Sequence, residues 1–271
     1  MDKMRNNHPK TFSLPIYLGI VCGLSWPFQI GFAVLGPEYR PLLLVAMVMA
    51  GIGTLVAARF VFNHRLDRAG WQIGKPVYYL LAIVLACLLW LLPVVMEQSV
   101  IGNAHPSSYI NSDWLVVLMS SLLITLIPAF SEEFSWRGYL LPQLLQRYSA
   151  RKSLVLHGIV TWFWHIPFLL VVGAGSGQNM LAGIVIVLLV SLVPAVMHAI
   201  VFAWFWARSS SLWVATFYHA AFDEVRDSLQ LTVGFGWIAE NWQMLLLTLL
   251  GIILLSNKEW LTRLASLPKT G

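Results

Sequence analysis

Long apolar runs, repeated down the chain and parted only by short polar connectors, constrain this sequence more than any other feature. They fall near residues 12–35, 41–63, 77–95, 114–132, 153–172, 181–207, 211–223 and 239–256. A helix needs about 20 apolar residues to cross a bilayer, so the pattern predicts an all-α polytopic membrane helix bundle of about eight transmembrane helices. The fourth, seventh and eighth runs are short or pass into polar sequence. Composition agrees, with 58% of residues hydrophobic and 11% charged, where a soluble domain carries about a quarter charged. No connector is long enough for a soluble domain, and residues 1–271 read as a single integral membrane domain.

The balance of 17 Lys+Arg against 12 Asp+Glu fits loop orientation and calls for no nucleic-acid partner. Basic residues collect on cytoplasmic loops of polytopic proteins. Here the N-terminus (Lys3, Arg5, Lys10), the second connector (Arg65, Arg68, Lys75), the fourth (Arg147, Arg151, Lys152), the sixth (Arg208) and the C-terminus (Lys258, Arg263, Lys269) are basic. The third carries Glu97 and Asp113, and the seventh leans acidic with Glu224, Asp227 and Glu240. Eight spans with both termini cytoplasmic give this alternation. The first run is too long for a signal-peptide core and reads as an uncleaved span. Cys22 and Cys87 lie within apolar runs as small buried hydrophobes, Trp71, Trp114, Trp242 and Trp260 suit an interfacial belt, and Gly19 with Gly23 would permit close helix packing.

With the spans placed, the informative residues are the few ionisable ones inside them, which mark function by default. They are Glu132, Glu133, Arg137, His157, His165, His198, His219 and Asp223. Glu133 and Arg137 stand at i and i+4, where a carboxylate meets a guanidinium on one helix face. Their pairing reads as structural support. Glu132 points about 100° away round the helix and is expected to lack a local partner; a desolvated carboxylate of this kind suits a general base. Counted at 1.5 Å per residue, His165 lies roughly 20 Å from Lys152, His219 roughly 16 Å from Arg208 and Glu132 roughly 22 Å from Arg147. Three spans thus place Glu132, His165 and His219 at similar depth. Asp223 shares a face with His219 and would fix its tautomer, or join it in holding substrate or metal. His198 reads as a core or lumen-lining histidine, and His157, near a basic connector, as ordinary.

The series Glu132-Glu133-x-x-x-Arg137, then His165, then His219 with Asp223 four later, resembles the CPBP family of intramembrane proteases, the type II CAAX prenyl endopeptidase-like proteins that include bacteriocin-immunity homologues. The segment 206–215, Trp-Ala-Arg-Ser-Ser-Ser-Leu-Trp-Val-Ala, looks like the family's approach to its last histidine. The catalytic core motifs then span 113–223. Two positions depart from the family pattern: Thr161 replaces a phenylalanine, and Asp223 stands where asparagine is usual. An ionised aspartate repels an oxyanion to which an asparagine amide could donate.

The resemblance implies a multi-helix fold enclosing a polar cavity and hydrolysis of a peptide bond in a membrane-associated peptide or protein, prenylated or not. Glu132 would activate water with His165 assisting, His219 and Asp223 would position water or carbonyl, and Glu133 with Arg137 would brace the site. Two chemistries stay open. Glu132, His165 and His219 are ligands that a catalytic zinc accepts, although no HExxH occurs. Without metal, Glu132 deprotonates the water directly and the histidines donate to the oxyanion. Two further readings compete: a non-catalytic scaffold or bacteriocin-immunity protein of the same fold, and a transporter using the buried acids as a proton relay.

Overall fold

The computed structural model describes residues 9–67, 69–100, 112–175 and 179–266. Within these the chain is helical, and Trp71 with Ser211 forms an isolated β-bridge. Of the loop charges named above, Lys3, Arg5, Arg68, Lys269 and the side chain of Asp113 lie outside the described residues.

In chain order the helices are α1 (Leu14–Leu35), α2 (Pro41–Val61), α3 (Pro76–Val100), α4 (Trp114–Leu145), α5 (Ala150–Trp164), α6 (Ile166–Gly175), α7 (Met180–Ser209), α8 (Leu212–Thr232), α9 (Trp237–Ser256) and α10 (Lys258–Ala265). Six of them are long and apolar enough to cross a membrane among the described residues: α1, α2, α3, α4, α7 and α9. The pair α5 and α6 meets the same test jointly, bent by 60°. This is an integral, multi-pass membrane protein. Each expected span corresponds to a helix except the fifth, which is broken into α5 and α6, and two of the others differ in extent. The fourth does not stop near residue 132 but runs on through the motif to Leu145. The seventh, α8, continues to Thr232 and carries Asp223, Glu224, Arg226 and Asp227, too many charges for the apolar test.

Three apolar clusters pack the helices. One joins α3, α7, α8 and α9 through Leu89, Phe205, Tyr218 and Leu247. A second joins α4, α5, α7 and α10 through Leu141, Leu154, Ile200 and Leu264. The third joins α1, α2, α4 and α5 through Tyr17, Ala57, Tyr139 and Trp164. α4 contributes its later half to both the second and the third. Every residue from 132 to 144 is buried, whereas the earlier half exposes Val116, Met119, Leu123 and Ile127, as a face against lipid would.

Close approaches rest on glycines other than the expected ones. Gly19 and Gly23 have nothing within 4 Å of an added Cβ, so neither seats a neighbouring helix in the described structure. Gly158 on α5 does: a Cβ there would lie 2.8 Å from the Val196 Cα of α7. Gly51 on α2 meets Ser131 on α4, whose hydroxyl accepts from the Gly51 amide (3.2 Å) and donates to the Val48 carbonyl (2.8 Å). Trp114 and Trp260 are buried, not set in an outer aromatic belt; Trp114 donates its indole N–H to the Ser228 hydroxyl. Cys22 and Cys87 are free thiols.

Candidate functional site

Immediately after Glu133 the helix widens. Residues Phe134–Leu140 form a π-helical stretch, closed by the Leu141 amide donating to the Trp136 carbonyl five residues back. Such widenings are rare and recur at functional sites. Here neighbouring helices hold it: Tyr17 of α1 bonds the Thr54 hydroxyl (2.9 Å) and donates to the Ser135 carbonyl (3.1 Å), while Tyr139 bonds His64 Nδ1 at 2.9 Å.

The two carboxylates part company at this point. Arg137 Nη1 donates to Glu133 Oε1 at 2.9 Å, with both side chains almost wholly buried. His219 Nδ1 from α8 reaches the same oxygen at 2.8 Å. The guanidinium also lies 4.3 Å over the Phe202 ring of α7, a cation–π contact that suits a desolvated arginine. Glu132 has a local partner after all: Trp136 Nε1, one helical turn on, donates to its Oε2 at 3.3 Å. The expectation of an unpartnered Glu132 therefore gives way to an indole hydrogen bond at the same i, i+4 spacing that joins Glu133 to Arg137.

His165 occupies the elbow between α5 and α6. Pro167 lacks an amide hydrogen and disfavours helical geometry in the residue before it, so the helix breaks here. The break releases the Trp164 carbonyl, which accepts from Trp26 Nε1 (3.0 Å) and Gln29 Nε2 (3.2 Å) of α1. His165 Nδ1 lies 2.7 Å from the Thr161 carbonyl. A carbonyl only accepts, so Nδ1 carries the proton and Nε2 is the ring nitrogen not engaged by that bond.

On α8, His219 Nε2 meets Asp223 Oδ2 at 3.3 Å, and Asp223 Oδ1 forms an ion pair with Arg226 Nη1 at 3.0 Å. Arg226 continues to Asp227 (2.7 Å), and Asp227 to the exposed Arg40 at the start of α2 (2.6 Å). Glu224, also on α8, accepts from Thr125 of α4.

A cavity of about 920 Å³ opens among these groups, and its lining includes Glu132, His165, His219 and Asp223 together with Trp136, Arg137, His198, Glu224, Arg226, Asp227 and Arg40. Phe32, Leu44, Met47, Phe168 and Leu231 line it too, and its wall is more apolar than polar. The enclosure is therefore amphipathic where a polar one was expected. His198 lines it as well, bonded through Nε2 to the Tyr218 hydroxyl at 3.0 Å and packed between Phe202 and Phe222. His157 is wholly buried, not at a surface.

As a metal site the residues do not fit as they stand. Among the described residues no three His, Cys, Asp or Glu side chains are gathered as a ligand set, and both ring nitrogens of His219 are directed at carboxylates. Glu132, His165 and His219 line the same cavity without forming a zinc cage.

Trp136, Glu224, Arg226 and Arg40 were not singled out from sequence. Trp136 and Arg226 were within reach of it, since they stand at i+4 from Glu132 and i+3 from Asp223. Arg40 and Glu224 were not, because their partners come from distant helices.

Residues 112–225 match the family model described as type II CAAX prenyl endopeptidase Rce1-like. CAAX prenyl protease 2 of Methanococcus maripaludis is 34% identical over 98 residues, which is 35% of this chain and 34% of that protein. The match thus spans only about a third of that relative's length. All six motif residues, Glu132, Glu133, Arg137, His165, His219 and Asp223, fall inside the matched segment. Over residues 112–225, then, the resemblance to the type II CAAX prenyl endopeptidase family read from the motifs is borne out.

Proposed function

We propose that the protein is an intramembrane endopeptidase that hydrolyses a peptide bond of a membrane-associated peptide or protein inside this cavity. The observation that carries the reading is that Glu132, His165, His219 and Asp223, from α4, the α5–α6 elbow and α8, all line one cavity. Glu132 takes a proton from water as the water oxygen bonds the carbonyl carbon. The Trp136 N–H holds one carboxylate oxygen and leaves the other for that task. When the C–N bond breaks, the proton passes to the departing amine. His165, its Nδ1 proton committed to the Thr161 carbonyl, offers Nε2 to the same water or to the leaving group.

His219 serves the carbonyl oxygen. Its Nδ1 bond to Glu133 is short, while its Nε2 contact to Asp223 is the longer one and is the one a developing oxyanion would displace. Glu133 and Arg137 brace the imidazole. The name of the Methanococcus relative and the apolar part of the cavity favour a prenylated chain as substrate, with the lipid group lying against Phe32, Met47 and Phe168.

Reconstituted protein should cleave a farnesylated peptide in preference to its unmodified form. Glu132→Gln and His165→Ala should each lower turnover roughly 10²- to 10⁴-fold, the range for losing a positioned acid–base group. Undiminished cleavage in both variants would remove the mechanism, and a cellular phenotype that survives total loss of cleavage would favour a binding role.

A further inference from the structure

An aspartate at 223 poses a problem that the proposed reaction does not solve alone. Its carboxylate lies 3.3 Å from His219 Nε2, beside the position at which the proposed reaction develops negative charge on the substrate. The structure supplies a counter-ion. Arg226, one turn further along α8, forms an ion pair with Asp223 Oδ1 at 3.0 Å and leaves Oδ2 facing His219. The guanidinium is itself fixed, by Asp227 through Nε at 2.7 Å and by the Phe222 ring 5.9 Å from its centre. Carboxylates alternate with nitrogen-bearing side chains along the row Glu133, His219, Asp223, Arg226, Asp227, and exposure rises from the wholly buried Glu133 side chain to the partly open Arg226. In such a row each charge fixes the orientation of the next, and a charge-assisted bond of this kind is stronger than a neutral one.

We propose that Arg226 is a positioning residue of the site: by neutralising and holding Asp223 it keeps His219 turned toward the cavity and makes an aspartate workable at this position. Arg226 acts through Asp223 and does not touch the reacting atoms. Its kinetic consequences rest on the endopeptidase reading; its effect on the His219 ring does not.

The test uses the full chain in lipid nanodiscs, with Arg226→Met, Arg226→Lys, Asp223→Asn and the double variant Asp223→Asn/Arg226→Met. In histidine ¹⁵N-labelled protein the His219 ring signals, identified by their loss in His219→Gln, should move in Arg226→Met and stay near the wild-type position in Arg226→Lys. In the Asp223→Asn background, removing Arg226 should leave them unmoved. Kinetically, Arg226→Met should lower kcat about 10- to 100-fold with KM little changed, the scale of one lost charged hydrogen bond. The same substitution in the Asp223→Asn background should change kcat less than about threefold. Ring signals that ignore Arg226→Met, or an equal kcat loss in both backgrounds, would overturn the proposal. If wild-type protein cleaves no peptide, the endopeptidase reading fails while the ring signals still decide the role of Arg226. If Arg226→Met does not fold, the lysine and double variants carry the comparison.

Discussion

Glu132 and Glu133 are adjacent in sequence, yet the helix separates them into different chemical surroundings. Glu133 sits with no exposed side-chain surface between Arg137 and His219, and removing one member of such a buried pair strands the other. Glu133→Gln should therefore destabilise the fold by about 3–5 kcal/mol, read as a lower midpoint of unfolding in detergent. Glu132 sits on the cavity wall with a neutral donor for a neighbour, so Glu132→Gln should cost far less stability while removing turnover. Trp136→Phe removes that donor together with part of a wholly buried indole, so kcat should fall at least about tenfold, one charged hydrogen bond's worth, and the unfolding midpoint should fall with it. Equal unfolding midpoints for Glu132→Gln and Glu133→Gln would contradict this division of labour.

Helices deliver these residues only because particular contacts set where each one lies. α5 brings His165 to the cavity by pressing Gly158 onto the backbone of Val196 in α7. Gly158→Ala would force the two helices apart, for about 1–3 kcal/mol, and should weaken cleavage along with stability because His165 moves with α5. At the other end of the bundle, Glu97 of α3 accepts from the amides of Gly236, Ile238 and Ala239 at the start of α9. A carboxylate there satisfies donors that a helix start leaves unpaired and meets the positive end of its dipole. Glu97→Ala should lower the unfolding midpoint by the equivalent of about 1–2 kcal/mol and leave KM unchanged. Sequence periodicity located every one of these helices, since a run of twenty apolar residues admits little else in lipid. It could not show that Glu97 leaves its loop to cap α9, because that contact joins residues about 140 positions apart. Nor could it show the π-helical widening after Glu133, which is held by Tyr17 of α1 and by His64 of the connector after α2. The i, i+4 rule found Glu133 with Arg137 and, applied once more, would have found Glu132 with Trp136. That His219 meets Glu133 and not Glu132 is settled by the packing of α8 on α4.

At the scale of the whole molecule the open matter is how many times the chain crosses the bilayer. Six helices qualify by length and hydropathy, the α5–α6 pair is bent by 60°, and α8 is disqualified by its charges. The charges of α8 do not prevent a crossing. Asp223, Glu224, Arg226 and Asp227 all line the cavity, while Tyr218, Val225 and Leu229 pack into the core; ionisable groups in membrane helices are accommodated in this way, turned from lipid toward an interior space. For the α5–α6 pair, the bend follows from Pro167, and the two halves together still meet the length and hydropathy test. We propose that both elements cross; the total would then be eight, with Lys10 and Lys258 on one side, the side on which the basic connectors place the cytoplasm. Cys22 and Cys87 are the native thiols, so the test begins from Cys22→Ala/Cys87→Ala with single cysteines placed at Lys10 or Lys258. In sealed vesicles of defined orientation, an impermeant maleimide should label both positions from the same face. Labelling from opposite faces would mean an odd number of crossings, with either α8 or the α5–α6 pair entering and leaving on one side, and the cavity would then open to a different compartment.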